Sequence, residues 1–467
     1  MNTFVQAVVN QETTTTNGMK ARKSTAKSTV DLFYNIGASR GKNIVPAFTA
    51  AYVEDKDLAL RIALWARDAR GGAGERELFR SILKHLEKTD KAAASALLKK
   101  VPELGRWDDI FVFTDKDLKA EAYTMLGDAL RASNGLAAKW TPRKGEVARE
   151  IREFFGMTPK QYRKSLVALT KVVETQMCAN DWDNINFSHV PSVASARYKK
   201  AFNRHTTKFA EYVNALVTKS DPTVKVNASA VYPYDVLKNV SRGVYDETEL
   251  NHIVAQWDAL PNFVGDANIL PLVDVSGSMC CPAGGKGSTS CMDVAVSLGL
   301  YLAEKNQGKF KDTFLTFSSH PELLHLKGNI VQKMDQMVRS KWGMSTNLVA
   351  ALDKILDVAV KGKVAQAEMP EMLLILSDMQ FDACVEGKSA IESVEKKFAA
   401  AGYTAPQVVF WNLNSHDNVP VKSDKSGAAL VSGFSPSIVK ALLQADMSEF
   451  TPEGIMRKTV MVDRYAY

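Results

Sequence analysis

Asp274-Val275-Ser276-Gly277-Ser278 sets one carboxylate and two hydroxyls at alternate positions, directly after the apolar run Ile269-Leu270-Pro271-Leu272-Val273. Small hard cations such as Mg2+ take oxygen ligands at about 2.0–2.1 Å in octahedral geometry and keep several waters, which suits hydroxyls backed by water-bridged carboxylates. Two later segments add donors of the same kind. Lys341-Trp342-Gly343-Met344-Ser345-Thr346-Asn347 offers a loop hydroxyl, and Asp378 follows the apolar run Met372-Leu373-Leu374-Ile375-Leu376-Ser377. In an open α/β sheet the loops at the carboxyl ends of the strands converge on one crevice, so such distant residues can meet. The plainer reading of the same serines and aspartates is helix capping.

The elements that would position these residues can be read from periodicity. Strands are expected at about 268–274, 312–318, 371–377 and 407–413, alternating with helices at about 291–306, 347–360 and 388–401. That order predicts a doubly wound, mostly parallel sheet over residues 263–467, with a further strand at Leu430–Phe434 and a helix at Pro436–Gln444 before a final tail. Residues 31–262 instead repeat apolar side chains at helical spacing, in blocks at Ala92–Val101, Ala120–Ala132, Gly145–Phe155, Pro159–Gln176 and Ser195–Val217. Consecutive helices without strand-like alternation suggest an α-solenoid of HEAT-like type, although no strict sequence period is present. Residues 1–30, with Thr13-Thr14-Thr15-Thr16-Asn17-Gly18, read as a polar, extended or disordered segment.

The chain of 467 residues carries a net charge of +7, unevenly spread. Residues 139–208 alone hold 14 basic and 6 acidic side chains, or +8. Such an excess fits a polyanionic partner, while a solvated helix face is the plainer alternative. Five cysteines, an odd and scattered set, argue against a disulfide framework and fit a reducing, cytoplasmic setting. Cys280, Cys281 and Cys291 flank Pro282-Ala283-Gly284-Gly285-Lys286-Gly287-Ser288-Thr289. A zinc site lacks a fourth ligand there, and Gly287 separates Lys286 from Ser288, which breaks the P-loop pattern. The stretch reads as a flexible loop beside the metal site. No apolar run is long enough to span a membrane and no signal peptide is evident.

The carboxylate and hydroxyl pattern resembles the metal-ion-dependent adhesion site of von Willebrand factor A domains. That resemblance implies direct Mg2+ (or Mn2+) coordination by Ser276, Ser278 and Thr346, with Asp274 and Asp378 acting through water and one position open to an acidic protein ligand. The sequence departs from the pattern at Met379, where a glycine is common, and Ser345 could take the place of Thr346.

The helical part carries Leu64-Trp65-Ala66-Arg67-Asp68-Ala69-Arg70-Gly71-Gly72-Ala73-Gly74-Glu75-Arg76-Glu77, Pro102-Glu103-Leu104-Gly105-Arg106-Trp107-Asp108-Asp109 and Tyr162-Arg163-Lys164. These segments resemble the TROVE module of the Ro autoantigen family, and more closely a TROVE-related family in which an A domain follows. Trp342–Asn347, Phe410-Trp411-Asn412 and Ser432-Gly433-Phe434-Ser435 extend the likeness. It implies helical repeats closing into a ring and binding of small non-coding RNA. On the chain's own basic residues the candidates for phosphate contact are Lys144, Arg149, Arg152, Lys160, Arg163 and Lys164, then Arg197, Lys199, Lys200, Arg204, His205 and Lys208.

The expectation is therefore a non-enzymatic, Ro-like RNA-binding protein with a Mg2+-bearing A domain for ring closure or partner docking. A metal-dependent protein-binding module without RNA is the alternative. A nuclease is disfavoured because Asp274 and Asp378 are the only obvious carboxylates and no general base stands beside them. Gly71–Gly74 reads as a tight interhelical turn, Arg106–Asp109 as a helix start with Trp107 in the core, and His320, His325 and His416 as surface or strand histidines.

Overall fold

The uninterrupted apolar runs become the central strands of a six-stranded sheet. In the computed structural model, which describes residues 12–237, 240, 245–283, 289–317, 320–340, 346–382, 390–416 and 418–467, the strands are β3 (Ile269–Val273), β4 (Thr313–Thr316), β5 (Leu323–His325), β6 (Met372–Ser377), β7 (Gln407–Asn412) and β8 (Ala428–Ser432), after a hairpin of β1 (Glu12–Thr14) and β2 (Lys20–Arg22). Their order is β5-β4-β3-β6-β7-β8, parallel throughout except for β5 at the edge. Both faces are covered by helices, which is why β3, β6 and β8 are buried at every position instead of alternating. The Cys291–Lys305 helix lies so close to β3 that a Cβ at Gly299 would stand 2.4 Å from Val273 Cγ2. Pro271 is tolerated within a central strand for a local reason. The Asp274 amide donates to Leu376 O, so the even-numbered amides face β6 and the missing Pro271 N–H faces β4, where pairing covers only Leu272 and Val273.

Two compact units result, and they do not follow the linear division expected from the sequence. One comprises residues 1–62, 231–245 and 260–463; the other comprises 63–230, 246–259 and 464–467. The sheet-bearing unit claims the N-terminal helices because Ser28–Ile36 buries Val30, Leu32, Phe33 and Ile36 and packs on β8. There the Gly37 amide donates to Ser432 Oγ at 3.0 Å. Residues 12–30 are not a loose polar tail. Thr15 Oγ1 donates to Phe381 O at 2.5 Å and the Thr16 amide to Gln380 Oε1 at 2.7 Å, so the threonine run finds partners that its composition does not reveal.

The second unit is helical, each element packing on its neighbour: Arg76–Thr89 on Lys91–Leu104, that on Lys116–Arg131, and Ser192–His205 with Lys208–Thr218 on Glu247–Asp258. Phe187, Phe202, Phe209 and Tyr212 form the core beneath the last three. Gly72 makes a close turn, since a Cβ there would fall 1.9 Å from Trp65 O. Trp107 is buried, and Asp109 accepts from both the Arg106 amide (3.1 Å) and Arg67 Nε (2.6 Å), as a capped helix start requires.

Candidate functional site

The strand order reverses between β3 and β6, because the chain runs outward from β3 through β4 to β5 and then returns to β3's other side. Such a switch point opens a crevice at the carboxyl ends of the two strands. Asp274 is the residue after β3 and Asp378 the residue after β6. Both are essentially inaccessible to solvent. Ser377 Oγ donates to Asp274 Oδ2 at 2.5 Å and the Ser276 amide to Asp274 Oδ1 at 2.9 Å. Burial nevertheless dominates, and with the charge of Asp378 nearby it pushes the Asp274 carboxyl up to about 6 against the pull of those hydrogen bonds.

Ser276 Oγ and Ser278 Oγ lie 3.0 Å apart across a short 3-10 turn. Adjacent octahedral ligands at about 2.0–2.1 Å from Mg2+ are separated by about 2.9 Å, so the two hydroxyls stand at the spacing a small cation needs. Thr346 is buried, and its Oγ1 donates to Gln380 O at 2.8 Å, which leaves the lone pairs of that oxygen to accept. The donor set fits Mg2+ or Mn2+: two buried carboxylates that repel one another, and hydroxyls rather than soft ligands beside them. Among the described residues no three His, Cys, Asp or Glu side chains gather into a metal-holding group, so any such site depends on these hydroxyls.

Several residues that pattern reading passes over shape the same place. Asp382 accepts from the Thr346 amide at 2.8 Å, and its other oxygen, 3.2 Å from Thr346 Oγ1, is an alternative to Gln380 O for the one hydroxyl proton. Asn17, from the N-terminal hairpin, donates to Gln380 O at 2.7 Å and approaches Thr346 Oγ1 at 3.5 Å. His416, half-buried, has its Nε2 3.9 Å from Asp378 Oδ2, beyond hydrogen-bond distance. Met379 adopts a left-handed backbone with φ 64°, a conformation that favours glycine, while its side chain is buried. Ser345, the alternative loop hydroxyl, falls outside the described residues, as do the rest of Lys341–Ser345, Gly284–Ser288 and Cys384. Cys281 and Cys291 face one another with Sγ atoms 3.4 Å apart. The hydrogen bond between them pulls the Cys281 thiol down to about 7 and pushes Cys291 up.

In the helical unit, Lys144, Arg149, Lys160, Arg163, Lys164, Arg197, Lys200, Arg204, His205 and Lys208 are exposed and Arg152 is half-buried. Arg149 is engaged with Glu146 and Glu153, Arg152 Nε donates to Ala148 O, and Lys208 Nζ donates to Asp183 O. His205 stacks on Trp182 with ring centroids 4.4 Å apart. By contrast Lys144, Lys160, Arg163, Lys164, Arg197 and Arg204 have no carboxylate within ion-pair distance among the described residues. Lys199 departs from expectation. It lies on the inward stripe Ser192, Ser195, Ala196, Lys199, Phe202 of its helix, is 7% exposed, and donates to Ala196 O at 2.9 Å. Burial lowers its ammonium to about 8, so it belongs to the interior, not to the phosphate-facing set.

With this geometry in view, two domain families, a relative and a solved structure stand beside the chain as similar. A domain of unknown function, DUF2828, matches residues 134–267, and another, DUF7788, matches residues 268–464. The "Uncharacterized protein L728" of Acanthamoeba polyphaga mimivirus is 30% identical over 505 residues, covering 95% of this chain and 86% of the viral protein. The chain belongs to the family of this mimivirus protein. Among solved structures, the Ro (RSR) protein of Deinococcus radiodurans is similar at a TM-score of 0.49 and 12% identity, over 94% of this chain and all of that one. The family shared with the mimivirus protein therefore spans both units, the helical one and the sheet. No helix among the described residues is long and apolar enough to cross a membrane.

Proposed function

We propose that this member of the mimivirus-protein family is a non-enzymatic RNA-binding protein of Ro-like type, whose helical unit holds structured or small non-coding RNA. The observation that carries the reading is the set of exposed cations at Lys144, Lys160, Arg163, Lys164, Arg197 and Arg204, which lack carboxylate partners among the described residues. Ammonium and guanidinium groups left to water gain most from phosphate, because each pairing releases condensed counterions. The helix Pro159–Leu169 presents three of the six after the Thr158 cap and Pro159 at its first position, so the cations sit on a held turn and not on a loose arm. The resemblance of Leu64–Glu77 and Pro102–Asp109 to the TROVE module supports the same reading.

The sheet-bearing unit is read as a von Willebrand factor A-like domain with a Mg2+ or Mn2+ site. Ser276, Ser278 and Thr346 would hold the ion, and Asp274 and Asp378 would act through water. The ion would supply an open position for an acidic group of a protein partner. That two buried carboxylates share one crevice favours a resident cation there. The decisive experiment is a pair of titrations on the whole chain. Structured RNA is titrated at several salt concentrations, and Mn2+ is titrated by calorimetry. RNA affinity that is undetectable at low salt would refute the first part of the proposal, and absent Mn2+ binding would refute the second.

A further inference from the structure

We propose that Cys281 and Cys291 form a redox-active dithiol that closes reversibly to a disulfide under hydroperoxides. The backbone already holds the two residues in the required register. Pro282 and Ser290 form an antiparallel bridge, so Cys281 and Cys291 are directly opposite, one step outward. The Cys291 amide donates to Cys281 O at 3.0 Å and the Ala283 amide to Thr289 O at 2.9 Å, so Cys281 and Cys291 stand in hydrogen-bonding register, although the Cys281 amide itself turns back to Ser278 O. Opposed residues of that kind have Cα atoms about 5.5 Å apart, at the centre of the range a disulfide spans. The side chains point at each other, with 3.4 Å between the sulfurs. Bond formation therefore needs a small side-chain movement and no rearrangement of the chain.

The two thiols are differentiated for the two steps. Cys281 is half-buried and accepts from Asn414 Nδ2 at 3.4 Å, while Lys42 Nζ donates to Asn414 Oδ1 at 3.2 Å. Cys291 is fully buried at the first position of the 15-residue helix Cys291–Lys305 and donates to Leu413 O at 3.6 Å. The roles follow from access: Cys281 is the half-buried, reachable sulfur and Cys291 the fully buried one that waits beside it. Cys281, the reachable sulfur, attacks the peroxide O–O bond, giving a sulfenic acid and releasing an alcohol, or water from hydrogen peroxide. Cys291 then attacks that sulfenic sulfur, its thiol proton leaving with the displaced hydroxide as water. Two thiols are oxidised by two electrons in total and one peroxide is reduced. A thiol reductant reverses the bond by exchange.

The test uses the full chain with one equivalent of hydrogen peroxide, rapid alkylation of remaining thiols, and peptide mapping. A peptide pair joined through Cys281 and Cys291 is expected, formed before exposed Cys178 reacts and cleaved by dithiothreitol. Cys280→Ser should keep the joined pair, and Cys281→Ser should abolish it while Cys291 stays reduced. A Cys280–Cys291 link, earlier oxidation of Cys178, or sulfinic acid at Cys281 with Cys291 untouched would overturn the proposal. Melting curves of both serine variants matching the parent exclude misfolding as the cause of a negative result.

Discussion

Arg464 clasps Asp68 in a bidentate pair, Nε to Oδ2 at 2.5 Å and Nη2 to Oδ1 at 2.9 Å, with Tyr465 Oη donating to the same carboxylate at 3.1 Å. Asp68 is solvent-inaccessible while Arg464 is about a third exposed. Burial alone would raise the Asp68 carboxyl. The Arg464 bonds and the amides of Arg70 and Gly71 outweigh it and hold the carboxyl below its usual range. A depressed carboxyl contributes stability above its unfolded pKa and loses it as pH falls through the folded one. Arg464→Ala should therefore cost about 2–3 kcal/mol at pH 7, reduced from the full cost of a broken buried pair because Arg464 is partly hydrated. The deficit should shrink below pH 4 or so as Asp68 protonates in both proteins. Urea melts at pH 7 and pH 3 check this; a constant deficit would assign the loss to packing.

Asp274→Ala combined with Ser276→Ala should abolish Mn2+ binding and leave the far-ultraviolet circular dichroism nearly unchanged, since the helical unit lies elsewhere in the chain. With the Asp274 carboxyl at about 6 before metal enters, protons compete for the site. Calorimetric affinity of the parent should fall by about tenfold for each pH unit below that value. Undiminished binding in the double variant would remove the site.

Replacing Lys160, Arg163 and Lys164 with Gln should weaken RNA binding and lower the log–log salt slope by roughly 0.7–0.9 for each phosphate no longer neutralised. Lys199→Gln is the contrasting substitution. Its side chain is buried, so the slope should hold while thermal stability changes. A slope lowered equally by Lys199→Gln would mean that the interior assignment fails.

Asn17→Ala removes a side chain that bonds Gln380 O and reaches Thr346. Loss of one such positioning bond is worth about 1 kcal/mol, so Mn2+ affinity should drop roughly three- to tenfold with the melting temperature little altered. Equal affinity would confine the hairpin to a structural role.

What can be read from the sequence follows the strength of the periodic signal. Ile269–Val273 and Met372–Ser377 are continuous apolar runs ending in carboxylates, and both the strands and the switch-point crevice follow from them. Leu323–His325 is three residues long with its two end residues exposed, and Pro452–Val460 is a single short helix in what reads as a tail. Neither carries enough period to be seen. The N-terminal hairpin is hidden for another reason, since Thr15 and Asn17 are polar and bond to Phe381 and Gln380, which lie more than 360 positions away. Lys199 is legible and easily misread. Charge counting groups it with Arg197 and Lys200, whereas its spacing of three and four from Ser195, Ala196 and Phe202 marks the inward stripe.

The chain passes from one unit to the other five times, at 62–63, 230–231, 245–246, 259–260 and 463–464. During synthesis this becomes a problem of waiting. The apolar face of Ser28–Ile36 leaves the ribosome long before β8, and Asp68 long before Arg464, with 396 residues between the last two. At about 5–20 residues per second the delay is roughly 20–80 s, ample time for an uncovered helix to find the wrong neighbour. Both units thus await late segments of the chain, the sheet-bearing one β8 and the helix Pro452–Val460, the helical one Arg464 for its buried Asp68.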